Sequence, residues 1–415
     1  MGREAGGRPV APPWWPSDEV ALAWAGVAVA DRVARRTLAV TCIDPAAAMR
    51  NTPTAALPVR PVRTREGRRR PRAQPLTVPT ASPSANDRAR LLDLIHGYRT
   101  TCIVAAALDL GVLDALAGAP APPGDLARSL GVDGDALARL LRGMAALGLV
   151  SVRPAEVALT ALGRTLADPE AGVRERALLA SREYVPAWQA LAHAVATGAT
   201  GFERAFGMSA WEHRQRHPEH NAWLNATMAD DQRRAAGAIP AAYDFSACRR
   251  IVDVGGGEGA LLAEILAAYP QPKAVLLDQP HVVAGAAARL AAAGVAHRCE
   301  VVGGSFFDPL PRDGDAYLLQ HVLHNWSDER AGAILRRCRE AIAPQGALLA
   351  IENVVPDDGA AGTHVAMLDL HMMVMLGGRE RTRDEFAALL AGAGFALQRS
   401  LPAAAAVEIL VARPA

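Results

Sequence analysis

A chain of 415 residues, 51% of them hydrophobic, can bury one large core or two moderate ones, which excludes a small stapled scaffold and favours two or three domains. A net charge of +1 gives no global bias toward nucleic acid or an anionic membrane. Five cysteines, widely spaced and without a CxxC pair, argue against a disulfide framework or a zinc site and fit a reducing, cytoplasmic setting with no metal.

Residues 1–85 are rich in Pro and Arg, and residues 60–72 carry seven arginines against one glutamate. Such a segment cannot bury enough apolar surface to offset its ordering entropy, so it reads as a disordered leader in preference to the alternative, a nucleic-acid-binding arm. The apolar run at residues 20–30 is far short of the roughly 20 residues of a membrane span. Glu4, Asp18 and Glu19 precede it where a secretory signal would be basic.

Helical periodicity begins at Asp87, with Leu91, Leu92, Ile95, Val104, Leu108, Val112 and Leu113 three and four apart. A short helix, a turn at Gly131, a second helix through Leu140 and Leu141, and a strand pair ending at Leu159 then read as a winged helix-turn-helix over residues 86–170. Eight arginines and eight carboxylates in residues 86–165 leave no basic face for phosphates, so this unit reads as structural and not as the DNA reader of a transcription factor. Residues 171–245 continue as helices forming a linker and pocket segment, with Trp188, Trp211, Trp223 and Met228 expected mostly in the core.

From Arg249 the rhythm becomes short β-rich runs (IVDVGG, AVLLD, CEVVGG, DAYLLQHV, ALLAIENVV) alternating with helices. That pattern predicts an α/β unit over residues 246–415 with a parallel, doubly wound sheet. An amphipathic helix over residues 382–394 and a closing strand VEILVA complete it.

The first run opens into DVGGGEG and a helix from Ala260, a strand-to-helix crossover whose glycines let backbone approach a ligand at the helix amino terminus. Gly255, Gly257 and Ala260 also satisfy the dinucleotide pattern GxGxxA, which keeps an NAD-dependent dehydrogenase as a rival. Asp253 and Glu258 weigh against it, because two carboxylates suit a cationic, phosphate-free ligand and repel a pyrophosphate. Asp278 ends the second strand about 20 residues on, where a ribose hydroxyl would be bound in either class.

Three segments, DVGGGEG, the stretch from GGSFFDPLP through HVLHNWSDE to ALLAIE, and LGGRERTRDEF, resemble the small-molecule S-adenosylmethionine-dependent O-methyltransferases, including plant caffeic acid and bacterial anthracycline and mitomycin enzymes. The resemblance spans residues 88–415 and implies a Rossmann-like class I methyltransferase domain preceded by an α-helical winged-helix dimerisation domain. It further implies that Asp253, Gly255 and Gly257 hold the methionine end of S-adenosylmethionine, Asp278 the ribose and Phe306 the adenine face. Ser305 stands where the family usually has Asp, and Gln320 where it often has Lys or Arg; both are carried as cofactor contacts.

The implied base is His324, supported by Glu352 and Glu380, taking the proton of a small aromatic hydroxyl. Asn325 replaces the Asp that often follows the base, and Met228, His371 and Met375, with Met372 beside them, resemble acceptor-pocket positions. Neighbouring His321 reads as packing without carboxylate partners. A homodimer through residues 88–125 is expected, from apolar stripes larger than so small a unit can cover and from the family. The alternative within the fold is a cofactor-binding homologue that hydroxylates, decarboxylates or performs a pericyclic step; retention of His324 with both glutamates favours methyl transfer.

Overall fold

The computed structural model describes residues 85–415 except 235, 236, 357–361 and 405, so the expected leader and the readings attached to it lie outside the described residues. Helices Ala85–His96, Tyr98–Asp109, Val112–Ala117, Pro123–Leu130 and Gly134–Ala146 lead into an antiparallel pair, β1 (Val150–Arg153) and β2 (Glu156–Leu159). Gly131 ends the fourth helix in a left-handed conformation and Asp133 caps the next by accepting from the Ala136 N–H, the local chemistry that makes the helix-turn-helix. Leu113, Leu126, Leu141 and Met144 fill its core.

The first helix and the start of the second turn apolar side chains outward: Leu91, Leu94, Ile95 and Tyr98 are 58%, 70%, 62% and 62% exposed. The stretch Asn86–Asp109, divided at Gly97, is also long and apolar enough by composition to cross a membrane. Further on, Trp188, Trp211 and Trp223 are only half-buried and Met228 is 42% exposed, so the tryptophans and this methionine are not the core residues expected; Phe202, Leu179 and Ala187 fill that role.

The large sheet contains β3 (Arg250–Val254), β4 (Lys273–Asp278), β5 (Cys299–Gly303), β6 (Ala316–Gln320), β7 (Ala347–Val355), β9 (Phe395–Ala404) and β10 (Val407–Pro414), in the order β5-β4-β3-β6-β7-β10-β9, with a short β8 (Arg381–Thr382) against β7. The five expected strands are parallel, but β10 runs antiparallel to β7 and to β9, so the sheet is mixed. β9 was not expected, because an edge strand tolerates Gln398, Arg399, Ser400 and Pro402, which break the apolar signature of a strand covered on both faces. Eight of the nine residues of β7 are buried, the continuous run that two-sided covering demands. The chain reverses its direction across the sheet between β3 and β6, and the carboxyl ends of those strands form the crevice where such sheets bind ligands.

Candidate active site

On one side of that crevice β3 delivers Asp253 and then a loop in which Gly255 and Gly257 have φ of 76° and 62°. A Cβ at Gly256 would lie 2.4 Å from the Asp253 carboxylate, and one at Gly255 would meet Val322 at 3.0 Å and the Phe306 ring at 3.5 Å, so backbone packs there as closely as glycine allows. Asp253 is fully buried and neither of its oxygens accepts a hydrogen bond among the described residues. Burial, with a smaller push from Asp278, raises its pKa to about 7.

Asp278 ends β4 and steadies the loop: one carboxylate oxygen accepts from the Gly257 N–H at 2.9 Å and the other from Gln279 N–H at 2.6 Å. Ser305 accepts from the Phe307 N–H at 3.2 Å, holding the turn that places Phe306. Gln320 stands half-buried at the end of β6. Glu258, expected beside Asp253 as a second free carboxylate of the loop, pairs with Arg289 at 2.9 Å, so its charge is already matched within the protein. Beside that pair a cavity of about 350 Å³ is lined by Asn225, Ala226, Ala229, Glu258 and Arg289.

Opposite, a 3₁₀ turn after β6 (Leu323–Asn325) carries His324, 7% exposed, with Nδ1 2.8 Å from Glu380 Oε1 and 3.9 Å from Glu352 Oε2. The glutamates divide the work. Glu380 is the direct partner of the ring, and its own N–H donates to Asp369 at 2.8 Å. Glu352 anchors the turn, its Oε1 accepting from Val322 N–H at 3.1 Å and Leu323 N–H at 2.8 Å. Burial alone would lower the pKa of His324, but Glu352 and Glu380 together raise it, while burial lifts Glu352 to about 7.

His321, read as packing without partners, has a φ of 51° and its Nδ1 3.9 Å from Glu352, too far for a hydrogen bond, and burial pushes its pKa down to about 3, so the ring is neutral there. The donor atoms of His321, His324 and Glu352 lie within 4.8 Å of one another, close enough for a cation, although Glu380 already holds His324 Nδ1. Asn325 points its amide back to the His321 carbonyl at 2.9 Å. Sequence reasoning missed Arg381, which was in view inside LGGRERT. Only 1% exposed, it donates to the carbonyls of Leu323 (3.0 Å) and Trp326 (2.8 Å) and to Asp328 (2.8 Å), clamping the His324 loop from both sides. Gly378 is needed beneath it, since a Cβ there would lie 2.0 Å from the His324 carbonyl oxygen.

The acceptor-pocket positions separate. Met372 and Met375 are buried, Met375 packing with Phe202, Ala187 and Val374 as core. Met228 is the exposed residue noted above, on the helix Pro218–Arg234 that borders the cavity, and is not among its lining. His371 is half-buried, receives the Trp188 indole N–H at Nδ1 (3.1 Å), and lies edge-on to Tyr184.

Family models match on both sides of this architecture, an O-methyltransferase dimerisation domain over residues 92–169 and an O-methyltransferase domain over residues 188–396. The chain is 42% identical over 327 residues to phenazine O-methyltransferase of Lysobacter antibioticus, covering 78% of this chain and 95% of that protein. It is 36% identical over 329 residues to aclacinomycin 10-hydroxylase of Streptomyces purpurascens, covering 76% and 86%. A crystal structure of an O-methyltransferase from neocarzinostatin biosynthesis, in complex with S-adenosylmethionine and 2-hydroxy-5-methyl naphthoic acid, aligns with a TM-score of 0.65 at 33% identity over 76% of this chain and 96% of that one. The Rossmann-like sheet together with the matching family models defines an enzyme of the methyltransferase class. The chain belongs to the O-methyltransferase family of secondary-metabolite biosynthesis.

Proposed function

We propose that this protein uses S-adenosylmethionine to methylate a hydroxyl of a small aromatic metabolite, phenolic or polyketide-type, with His324 as general base. The observation that carries the reading is the buried 2.8 Å contact between His324 and Glu380 on a turn facing the glycine loop of β3. The residues of that loop fit the cofactor: Asp253 is a buried carboxylate without a hydrogen-bond donor, and the Gly255 cradle leaves room that any Cβ would fill. Bound there, S-adenosylmethionine supplies an electrophilic methyl group on a cationic sulfur. Asp253 and the backbone of Gly255 and Gly257 would hold its methionine end, Asp278 its ribose, and Phe306, Ser305 and Gln320 the region of the adenine.

A phenol of pKa near 10 is mostly neutral at pH 7 and a poor nucleophile, so a base that takes the proton as attack proceeds lowers the barrier. Glu380 holds a proton on Nδ1 of His324, which leaves Nε2 as the accepting atom and stabilises the imidazolium that forms. Glu352 and Arg381 keep the turn in place, and alignment of oxygen with the methyl group supplies the remaining acceleration. Two copies are inferred to pair through the exposed face of residues 88–125, where Leu91, Leu94 and Ile95 otherwise meet water.

The hydroxylase relative supports a second reading, in which the same fold binds the cofactor without transferring its methyl group. The retained His324–Glu380 pair favours transfer. A screen with methyl-labelled cofactor against phenolic, hydroxyquinone and hydroxyphenazine acceptors distinguishes them. Label on an acceptor oxygen is the expected result; an oxygenated or decarboxylated acceptor with no label would establish the second reading.

A further inference from the structure

We propose that His371 is a fixed, neutral hydrogen-bond donor that selects planar acceptors bearing a ring nitrogen or carbonyl oxygen, an inference that rests on the methyl-transfer reading above and narrows its substrate class. An indole N–H can only donate, so the 3.1 Å bond from Trp188 requires a lone pair on His371 Nδ1. In a neutral imidazole the proton is then on Nε2. That nitrogen bonds to no protein group among the described residues, on a ring only half-buried. Tyr184 meets the ring edge-on at 4.6 Å and the Trp188 ring lies at 29° to it with centroids 6.2 Å apart, so both neighbours restrict its orientation.

The surroundings also hold the ring neutral. Burial, then the positive charge of Arg214 and the proximity of His324, push its pKa down to about 4. When His324 takes up the acceptor's proton, a second charge at His371 becomes still less favourable, so the donor keeps its form through the reaction. The same helix, Thr363–Leu376, anchors Glu380 through Asp369, so the donor and the support of the base share one rigid element. An acceptor bound between His371 and the His324–Glu380 pair would meet an N–H that can donate and cannot accept, which would match a carbonyl or aza nitrogen and leave a C–H edge unpaired.

Two measurements test this. Histidine-labelled NMR of the full chain with S-adenosylhomocysteine is expected to show His371 protonated on Nε2 at neutral pH, with Trp188→Phe releasing it into both tautomers. A charged ring or an Nδ1–H form in the unaltered protein overturns the inference, whatever the enzyme's activity. Kinetics then compare 2-hydroxyphenazine with 2-hydroxyanthracene, equal in shape and differing in ring nitrogen against C–H. His371→Leu is expected to cut the phenazine's advantage in kcat/KM by roughly 10-fold, mostly through KM, and His371→Gln, which keeps a donor, to retain most of it. An unchanged preference in His371→Leu overturns the inference. If the phenazine binds with that preference yet is never methylated, the methyl-transfer reading fails and His371 keeps its role.

Discussion

Asp253 and Glu380 are both buried carboxylates at one crevice, yet Glu380 grips His324 at 2.8 Å while neither oxygen of Asp253 accepts a hydrogen bond among the described residues. The difference separates two kinds of site. Around His324 the turn is tied down in advance, by Glu352 accepting from two of its N–H groups and Arg381 donating to two carbonyls, so the order there is already present. At Asp253 a desolvated carboxylate with a pKa of about 7 has no hydrogen-bond partner among the described residues, and under the proposed function the arriving cation would match it.

If this contrast holds, the two sides break differently. His324→Ala should lower kcat on a phenolic acceptor by roughly 10²- to 10⁴-fold while S-adenosylmethionine affinity, measured by calorimetry, hardly changes. Glu380→Gln should lose less, on the order of 10- to 10²-fold, because the ring remains but its tautomer is no longer imposed. Glu352→Gln should act mainly on the turn, lowering thermal stability together with kcat. Arg381→Leu removes the donor to the Trp326 carbonyl and one of the two donors to the Leu323 carbonyl, and should cost about 1 to 3 kcal/mol of stability in a denaturant titration.

On the Asp253 side the expected effect is on pH. Its pKa is raised in the free protein, and under the proposed function a bound cation would draw it back down, so binding would release a proton. Cofactor affinity should therefore fall as pH drops below about 7, by up to roughly tenfold per unit. Asp253→Asn should bind more weakly above pH 7 and lose the slope. The sign for the free protein is opposite: ionising Asp253 in place is unfavourable, so stability is lost as pH rises from 3.8 through about 7, and the asparagine variant should be relieved of that loss in thermal melts.

How legible all this was in the sequence follows from how local each signal is. The DVGGGEG loop, Asp278 and His324 lie in contiguous motifs, and the structure places them on the crevice the motifs imply. Glu258 misled because its partner Arg289 sits 31 residues away, and charge type alone does not reveal where a side chain turns. Arg381 stood in a quoted motif, but its task is set by carbonyls 55 and 58 residues distant. The Trp188–His371 bond joins positions 183 apart, so no spacing rule reaches it. β9 escaped for a different reason: an edge strand carries polar residues and proline that a central strand cannot.

The central claim is that His324 supplies the base and the rest of the site supplies alignment, and the pH–rate profile of His324→Ala tests it most directly. The unaltered enzyme should level off once pH passes the raised pKa of His324, set by Glu352 and Glu380 against burial. The alanine variant should instead keep gaining rate toward the phenol's own pKa near 10, where the solvent supplies the phenolate, and should approach the unaltered enzyme there. Near-normal turnover of His324→Ala at neutral pH, with the same profile as the unaltered enzyme, would contradict the account and leave methyl transfer to alignment alone.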